Sequence, residues 1–172
     1  QNIFRLVTRT KWQNFSQQAL FRIKKINLSA SENRNESNGF LLFNRYQDGD
    51  DLYYTGLRVD GYAVIKKKID GDYHTLALEK VYKGGDYDRD TNPNLLPVGS
   101  WIGLKSVVKT NKNGDVEITL YYKKGRNTKK WKKIAQCVDK GQKGDKITGS
   151  GYGGIRTDFM DAEFDKYEIT EL

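Results

Sequence analysis

The chain has 172 residues, and its 30 Lys and Arg against 22 Asp and Glu give a net charge of +8 at pH 7. This length predicts a single domain over 1–172, and the charge favours an acidic partner: nucleic acid, an anionic glycan or an anionic membrane surface. One Cys excludes an internal disulfide, and one Cys with one His argues against a zinc site of soft ligands. No apolar run approaches the ~20 residues that span a bilayer, so no membrane insertion is expected.

Short segments with a period of two follow one another along the chain and predict antiparallel strands. No segment has a helical pattern. Asp60-Gly61 and Asp70-Gly71 lie between such segments and predict tight hairpin turns. The predicted strands are 21–28, 40–46, 53–59, 62–69, 73–82, 101–110, 116–123, 130–139, 151–158 and 162–170. Ten short strands without helices predict an all-β fold, either a two-sheet sandwich or a barrel.

The segment 39–77 places cations and one ring at polar strand positions: Arg45, Tyr54, Arg58, Lys66 and Lys68. Arginine matches carboxylate or sulfate geometry, and ring faces stack on the apolar faces of sugars. These residues therefore suit an acidic polysaccharide. The alternative is that they are solvated strand residues, with lysines that protect a sheet edge from aggregation.

A long loop, 83–99, carries acidic and aromatic residues. Asp86, Asp88 and Asp90 alternate with other residues, a spacing of oxygen ligands that suits calcium. However, Thr91 stands where a helix-loop-helix calcium loop needs glycine, so an ordinary loop of Asx turns is the alternative. Tyr82 lies beside this loop, at the expected rim of a cleft.

The segment 121–133 interleaves aromatic residues with lysines, as a protein that follows a phosphate backbone does. A solvated hairpin tip explains the same residues without a ligand. We therefore expect no nucleic-acid partner. Trp101 and Trp131 are expected in core or rim packing.

The order of several motifs resembles the concanavalin-A-like lectin/glucanase jelly rolls. The motifs are Trp-x-x-Phe from Trp12, GFLLFNRYQDGDDLYYTGLRVDG from Gly39, a Trp before IGLKSVV, and GYGGIRTDFMDAEFDKYEI from Gly151. Within this superfamily the chain is most similar to the laminin-G-like carbohydrate-associated modules of extracellular polysaccharide-degrading systems. The resemblance covers about 12–169.

This resemblance implies a jelly-roll sandwich whose concave sheet receives a sugar chain, and it adds Arg156 of the closing Gly-x-Arg-Thr motif to the candidate site. Asp165 matches a position that helps to bind a structural calcium in related jelly rolls. Those folds add an acidic residue from the N-terminal segment, which this chain lacks. No organic cofactor is implied.

The sequence lacks the motifs of two kinds of enzyme that share this fold. A retaining glucanase needs a Glu-x-Asp-x-x-Glu or similar cluster, and none is present. A polysaccharide lyase needs a base and an anion-neutralising group, and His74 with Tyr54, Arg58 and Arg45 could fill those roles. The Arg-x-Glu-x-Arg and Gln-x-His strands of lyases with this fold are missing.

The sequence thus predicts a carbohydrate-binding module or lectin-like protein that binds a polysaccharide, preferably an anionic one, on the concave sheet. A lyase of the same fold is the alternative. A start at Gln1 fits a mature secreted or cell-surface protein, or a domain of a larger multidomain extracellular protein. The candidate ligand-binding residues are Arg45, Tyr54, Arg58, Lys66, Lys68, His74, Tyr82 and Arg156, and the candidate calcium ligands are Asp165, Asp86, Asp88 and Asp90.

Overall fold

The computed structural model describes residues 3–172, which form eleven antiparallel strands and no helix. Helices long and apolar enough to cross a membrane are accordingly absent from this part of the chain. The strands are β1 (Ile3–Trp12), β2 (Phe15–Ile26), β3 (Gly39–Tyr46), β4 (Leu52–Arg58), β5 (Tyr62–Ile69), β6 (Asp72–Lys80), β7 (Trp101–Thr110), β8 (Val116–Lys124), β9 (Lys132–Asp139), β10 (Gly151–Asp158) and β11 (Met160–Glu171).

Two sheets pack face to face. One has six strands in the order β1-β10-β3-β4-β5-β6, and the other has five in the order β11-β2-β7-β8-β9. Alternate residues of both sheets, such as Phe21 and Phe40 with ring centroids 4.7 Å apart, fill one core between them. The predicted all-β, two-sheet antiparallel jelly roll is confirmed.

The structure has β1 and begins β2 at Phe15, whereas the pattern of residues predicted no strand before residue 21. β1 is an edge strand that pairs only with β10. Most of its residues are exposed, because an edge strand needs no continuous apolar face. Its sequence therefore lacks the alternation that marked the other strands.

The two predicted Asp-Gly turns differ. Asp70 and Gly71 both have positive φ, 51° and 87°, as a two-residue hairpin turn requires. At Asp60-Gly61 only Gly61 has positive φ, 81°, and the connection has three residues, 59–61. The prediction of a two-residue turn there was wrong, since Val59 leaves the strand to accept a hydrogen bond from Leu95 N at 2.7 Å.

A buried ion pair connects the two sheets. Lys67 of β5 and Asp139 of β9 are both fully buried, and Nζ lies 3.0 Å from Oδ2. The Tyr53 hydroxyl donates to the same carboxylate at 2.6 Å and accepts from Ile147 N at 3.1 Å. Burial and Asp139 together raise the pKa of Tyr53, so its hydroxyl keeps its proton and remains a donor.

Cys137 lies in β9, opposite Ile118 of β8, and is half-buried against the core. Burial, assisted by the nearby Asp139 carboxylate, raises the pKa of the thiol to about 12. The thiol is therefore protonated at neutral pH.

Candidate binding groove on the six-stranded sheet

The outward face of the six-stranded sheet holds a groove of about 650 Å³. Strand register creates it, because directly paired residues point to the same face of an antiparallel sheet. One such row runs through Arg5, Arg156 and Leu41, and the next runs through Phe43, Tyr54 and Lys66. β1 and β5, which carry Arg5 and Lys66, are four strand spacings apart, or ~19 Å.

Apolar side chains form the floor of the groove. Leu41, Phe43, Leu52, Tyr54 and Val64 make a second hydrophobic cluster, separate from the core between the sheets, and all five are buried. Leu41 and Tyr54 line the groove itself, and Phe43 and Leu52 line a smaller hollow beside it. Burial raises the pKa of Tyr54, so the phenol is uncharged at physiological pH.

Tyr73 of β6 stands over this floor and is 54% exposed. Its ring meets the Tyr54 ring edge to face at a centroid distance of 6.2 Å. The Lys66 and Lys68 ammonium groups lie 5.8 and 5.0 Å from the Tyr73 centroid. This arrangement places an accessible ring among cations, as recognition of a charged sugar requires.

Two cations that line the groove have no ion-pair partner in the described chain, Arg5 and Lys66. Lys66 is half-buried, and its pKa is lowered by burial and by the neighbouring Arg58. Arg156 donates from Nε to Asp158 Oδ1 at 2.7 Å, which leaves its two terminal nitrogens without a protein acceptor among residues 3–172. The groove therefore offers three sets of donors to an anion.

A polar loop, 29–38, closes one end of the groove. Arg34 holds it by donating to Ser29 O at 2.6 Å, to Arg89 O at 2.5 Å and to Asp90 Oδ1 at 2.9 Å. The side chains of Asn33 and Ser37 line the groove, and within the described chain neither donates or accepts a hydrogen bond except through backbone atoms. Amide and hydroxyl groups of this kind suit sugar hydroxyls.

Among the residues predicted from the sequence, the structure brings Tyr54, Lys66 and Arg156 together in this groove. Lys68 lines a smaller adjoining hollow, where its ammonium donates to Asp50 Oδ1 at 2.8 Å and to Gly49 O at 2.7 Å. Their roles in binding stay predictions.

Arg45 and Arg58 lie elsewhere. Arg58 is buried and paired with Asp60 Oδ2 at 2.7 Å, beside the groove but not lining it. Arg45 is fully buried and takes a positive φ of 51°, where a register shift between β10 and β3 turns its side chain inward. Arg45 was predicted as a ligand-binding residue of the concave sheet, and its full burial does not fit that role. Its guanidinium donates to Gln13 O at 2.7 Å, Ile147 O at 2.8 Å, Thr110 Oγ1 at 2.8 Å and Asn14 Oδ1 at 3.1 Å.

His74 and Tyr82 are also outside the groove. His74 is the register partner of Lys67, which points between the sheets, so His74 lies on the opposite face from Tyr73. Tyr82 lines a different cavity of about 560 Å³, and its hydroxyl lies 3.0 Å from that of Tyr122. The lyase arrangement is therefore not assembled, since Tyr54 and His74 are on different faces and Tyr54 is protonated.

Most of the predicted calcium ligands are engaged in contacts within the protein, and calcium binding stays a prediction. Nowhere in residues 3–172 do three His, Cys, Asp or Glu side chains converge as metal ligands. Asp88 accepts from Thr91 N at 2.7 Å and from Asp90 N at 3.0 Å, as in an Asx turn, and Asp86 only offers its carbonyl to Asn92. Asp90 pairs with Arg34 and Asp165 with Arg126.

Sequence reasoning missed Arg5, Tyr73 and the loop 29–38 as parts of the groove. Tyr73 could have been found, because the Asp70-Gly71 hairpin sets it opposite Lys68. Arg5 could not, because β1 was not predicted. The loop residues carry no pattern that distinguishes them from other polar connections.

Three solved structures share this architecture. The carbohydrate-binding module CBM66 from Bacillus subtilis matches with a TM-score of 0.65 and 13% identity over 99% of this chain and 83% of that one. The GH43 protein BlXynB from Bacillus licheniformis matches with a TM-score of 0.55 and 16% identity over 96% of this chain and 29% of that one. The Caenorhabditis elegans galectin LEC-6 matches with a TM-score of 0.52 and 8% identity over 99% and 96% of the two chains.

No protein-family model and no curated protein matches the sequence. At identities of 8 to 16%, the likeness to solved structures shows the fold alone. The resemblance to the concanavalin-A-like jelly rolls, inferred from the sequence motifs, is confirmed at the level of that fold.

Proposed function

We propose that this protein is a non-catalytic carbohydrate-binding protein that holds an acidic polysaccharide in the groove of the six-stranded sheet. One observation carries the proposal: the unpaired cations Arg5 and Lys66 flank an apolar floor and the exposed Tyr73 ring. An apolar floor with a few polar groups is typical of a ligand site. Two proteins with this fold, a carbohydrate-binding module and a galectin, support a saccharide as the ligand.

Each group has a part in this binding mode. Tyr73 stacks on a sugar ring, and Asn33 and Ser37 bind hydroxyl groups. The terminal nitrogens of Arg156 form a fork for one carboxylate or sulfate. Arg5 and Lys66 contact acidic groups on sugars to either side, since they stand on β1 and β5.

The experiment is affinity electrophoresis in gels that contain uronate-bearing, sulfated or neutral polysaccharides, with Arg5→Met, Lys66→Met and the double variant. We expect each single change to weaken binding to the preferred acidic polysaccharide about tenfold, because each removes a charged hydrogen-bond donor. Arg9→Met, an exposed change on the same strand outside the groove, is the matched control. Equal affinity of the double variant and the control would refute the proposal.

We also propose that the protein acts outside the cell, on a secreted or surface-attached chain, where long polysaccharides occur. The GH43 protein supports a place in a larger protein, because its matching region is 29% of its length. Cell fractionation with an antibody against this domain tests both statements. The compartment that contains the protein tests its location, and the size of the detected chain tests whether it is part of a larger protein.

A further inference from the structure

The excess positive charge of this chain is concentrated in one segment. Residues 101–133 contain ten Lys and Arg and two acidic residues, so this segment alone accounts for the net charge of +8. The rest of the chain is balanced. The segment comprises β7, β8 and the connection to β9, and these strands belong to the five-stranded sheet, opposite the groove.

On the outward face of this sheet, lysine ammonium groups pack against aromatic rings. The Lys105 ammonium lies 4.8 Å from the centroid of Tyr121 and 5.0 Å from that of Trp131. The Lys123 ammonium lies 4.9 Å from the Trp131 centroid. Gly103 makes this packing possible, because a Cβ there would come within 2.5 Å of Lys123 Cγ and 3.1 Å of Trp131 Cη2. We call Lys105, Lys123, Lys133, Tyr121 and Trp131 the lysine face.

Acidic residues around this face pair with other cations. Glu117 pairs with Lys109 at 2.9 Å, Glu163 with Arg22, and Asp165 with Arg126. Within residues 3–172, no carboxylate pairs with Lys105, Lys123 or Lys133, and Lys133 donates only to Gln136 Oε1 at 2.7 Å. Lys129 and Lys130, in the connection between β8 and β9, add further exposed charge.

We propose that the lysine face is a second binding surface, which takes an extended acidic polysaccharide on the side of the molecule opposite the groove. Charge complementarity selects a polyanion. The Tyr121 and Trp131 rings have ammonium groups within 5.0 Å of their centroids and are less exposed than Tyr73, so they offer little open ring surface for stacking nucleic-acid bases. None of the exposed large apolar side chains lies in 101–133, and this argues against insertion into a lipid surface.

The choice of a polysaccharide among polyanions rests on the proposed function. The existence of a surface that binds polyanions is independent of the proposed function, because it follows from the charge and packing of the lysine face. Lysine ammoniums are point charges without the fork geometry of arginine. Binding at this face is therefore expected to depend on charge density and salt more than on the identity of the sugar.

The test uses the full chain and polygalacturonate. Binding is measured by calorimetry between 20 and 200 mM NaCl, about a tenfold range of the salt that screens the charges. The variant is Lys105→Gln/Lys123→Gln/Lys133→Gln. The control, Lys25→Gln/Lys83→Gln/Lys140→Gln, removes equal charge from exposed sites elsewhere. We expect the variant to lose at least about tenfold in affinity at low salt, and the slope of log K against log salt to fall by about 2 to 3, roughly one per lysine.

Equal losses in variant and control would overturn the proposal, because the effect would then be one of net charge. The polysaccharide assignment would be overturned if the variant bound polygalacturonate normally but lost binding to double-stranded DNA or to phosphatidylserine vesicles. Thermal unfolding of the variant shows whether it is folded. Failure of the groove proposal would appear separately, as normal binding by the Arg5→Met/Lys66→Met variant.

Discussion

Lys66 is the residue through which the groove responds to pH. Burial and the neighbouring Arg58 disfavour its charged form, so its pKa in the folded protein is lower than 10.5. As pH rises, a lysine whose pKa is lowered in the folded protein is deprotonated at a lower pH than the same lysine in the unfolded chain. The positive charge of Lys66 is thus lost at a lower pH than that of an ordinary lysine.

We therefore expect the affinity for a short acidic oligosaccharide, too small to span both faces, to fall as pH rises from 8 toward 10.5. The Lys66→Arg variant should keep its affinity over this range, because a guanidinium stays protonated. Calorimetric titration at several pH values measures the effect. Parallel curves for the two proteins would show that Lys66 does not contact the acidic group.

Arg45, unlike Lys66, is a cation that stabilises the fold and does not line the groove. It has no carboxylate partner among the described residues, and burial lowers its pKa to about 10. Its donors serve the backbone carbonyls of Gln13 and Ile147, which belong to two different connections. Arg45 is thus a structural residue at the end of the sandwich.

Replacing Arg45 by Met should lower the free energy of unfolding by about 3 kcal/mol, because buried carbonyls lose their donors. Urea unfolding measures this change. We expect sugar affinity of the folded variant to be unchanged within about twofold. A variant of normal stability with weak binding would instead return Arg45 to the binding site.

At the scale of strands, the sheets are joined by polar contacts as well as by the core. The ion pair of Lys67 and Asp139 connects β5 to β9, and Tyr53 of β4 donates a hydrogen bond to the same carboxylate. Lys67 also donates to the carbonyls of Gly144 and Asp145, at 2.7 and 3.1 Å. This network holds the connection before β10, and β10 carries Arg156.

The Asp139→Asn variant should be destabilised by about 3 kcal/mol, because it leaves the Lys67 ammonium buried without its counter-charge. The double variant Lys67→Met/Asp139→Leu should recover at least half of that loss, since neither charge is then buried. Denaturant unfolding of the three proteins measures both effects. Additive losses in the double variant would show that the pair does not act as a unit.

The strand pattern shows which features a sequence can reveal. The hairpin of β5 and β6 was predictable, because Asp70 and Gly71 encode their positive φ and alternation orders Lys66, Lys68 and Tyr73. The inward turn of Arg45 was not, because it depends on a register shift between β10 and β3 that no local pattern marks. Groove residues from β1 were missed for a similar reason, since an edge strand has few buried positions.

At the scale of the whole molecule, the groove lies on the six-stranded sheet and the excess positive charge on the five-stranded sheet. From the sequence, the net charge favoured an acidic partner, and the cations of segment 39–77 indicated a recognition surface on the strands of that segment. In the structure, three of the cations at this sheet already have acidic partners: Arg58, Lys68 and Arg156. The unbalanced charge lies on the five-stranded sheet. The acidic class of partner, which the composition favours, stays a prediction, and the composition did not indicate which sheet carries the excess charge.

Cys137 gives the molecule an internal reporter. Because burial raises its pKa to about 12, the thiol is almost entirely protonated at pH 8, and the side chain is partly buried against the core. Alkylating reagents attack the thiolate, so modification should become fast only when β9 separates from β8. Because the chain has no other cysteine, the labelling rate follows the opening of this sheet edge without any engineered probe.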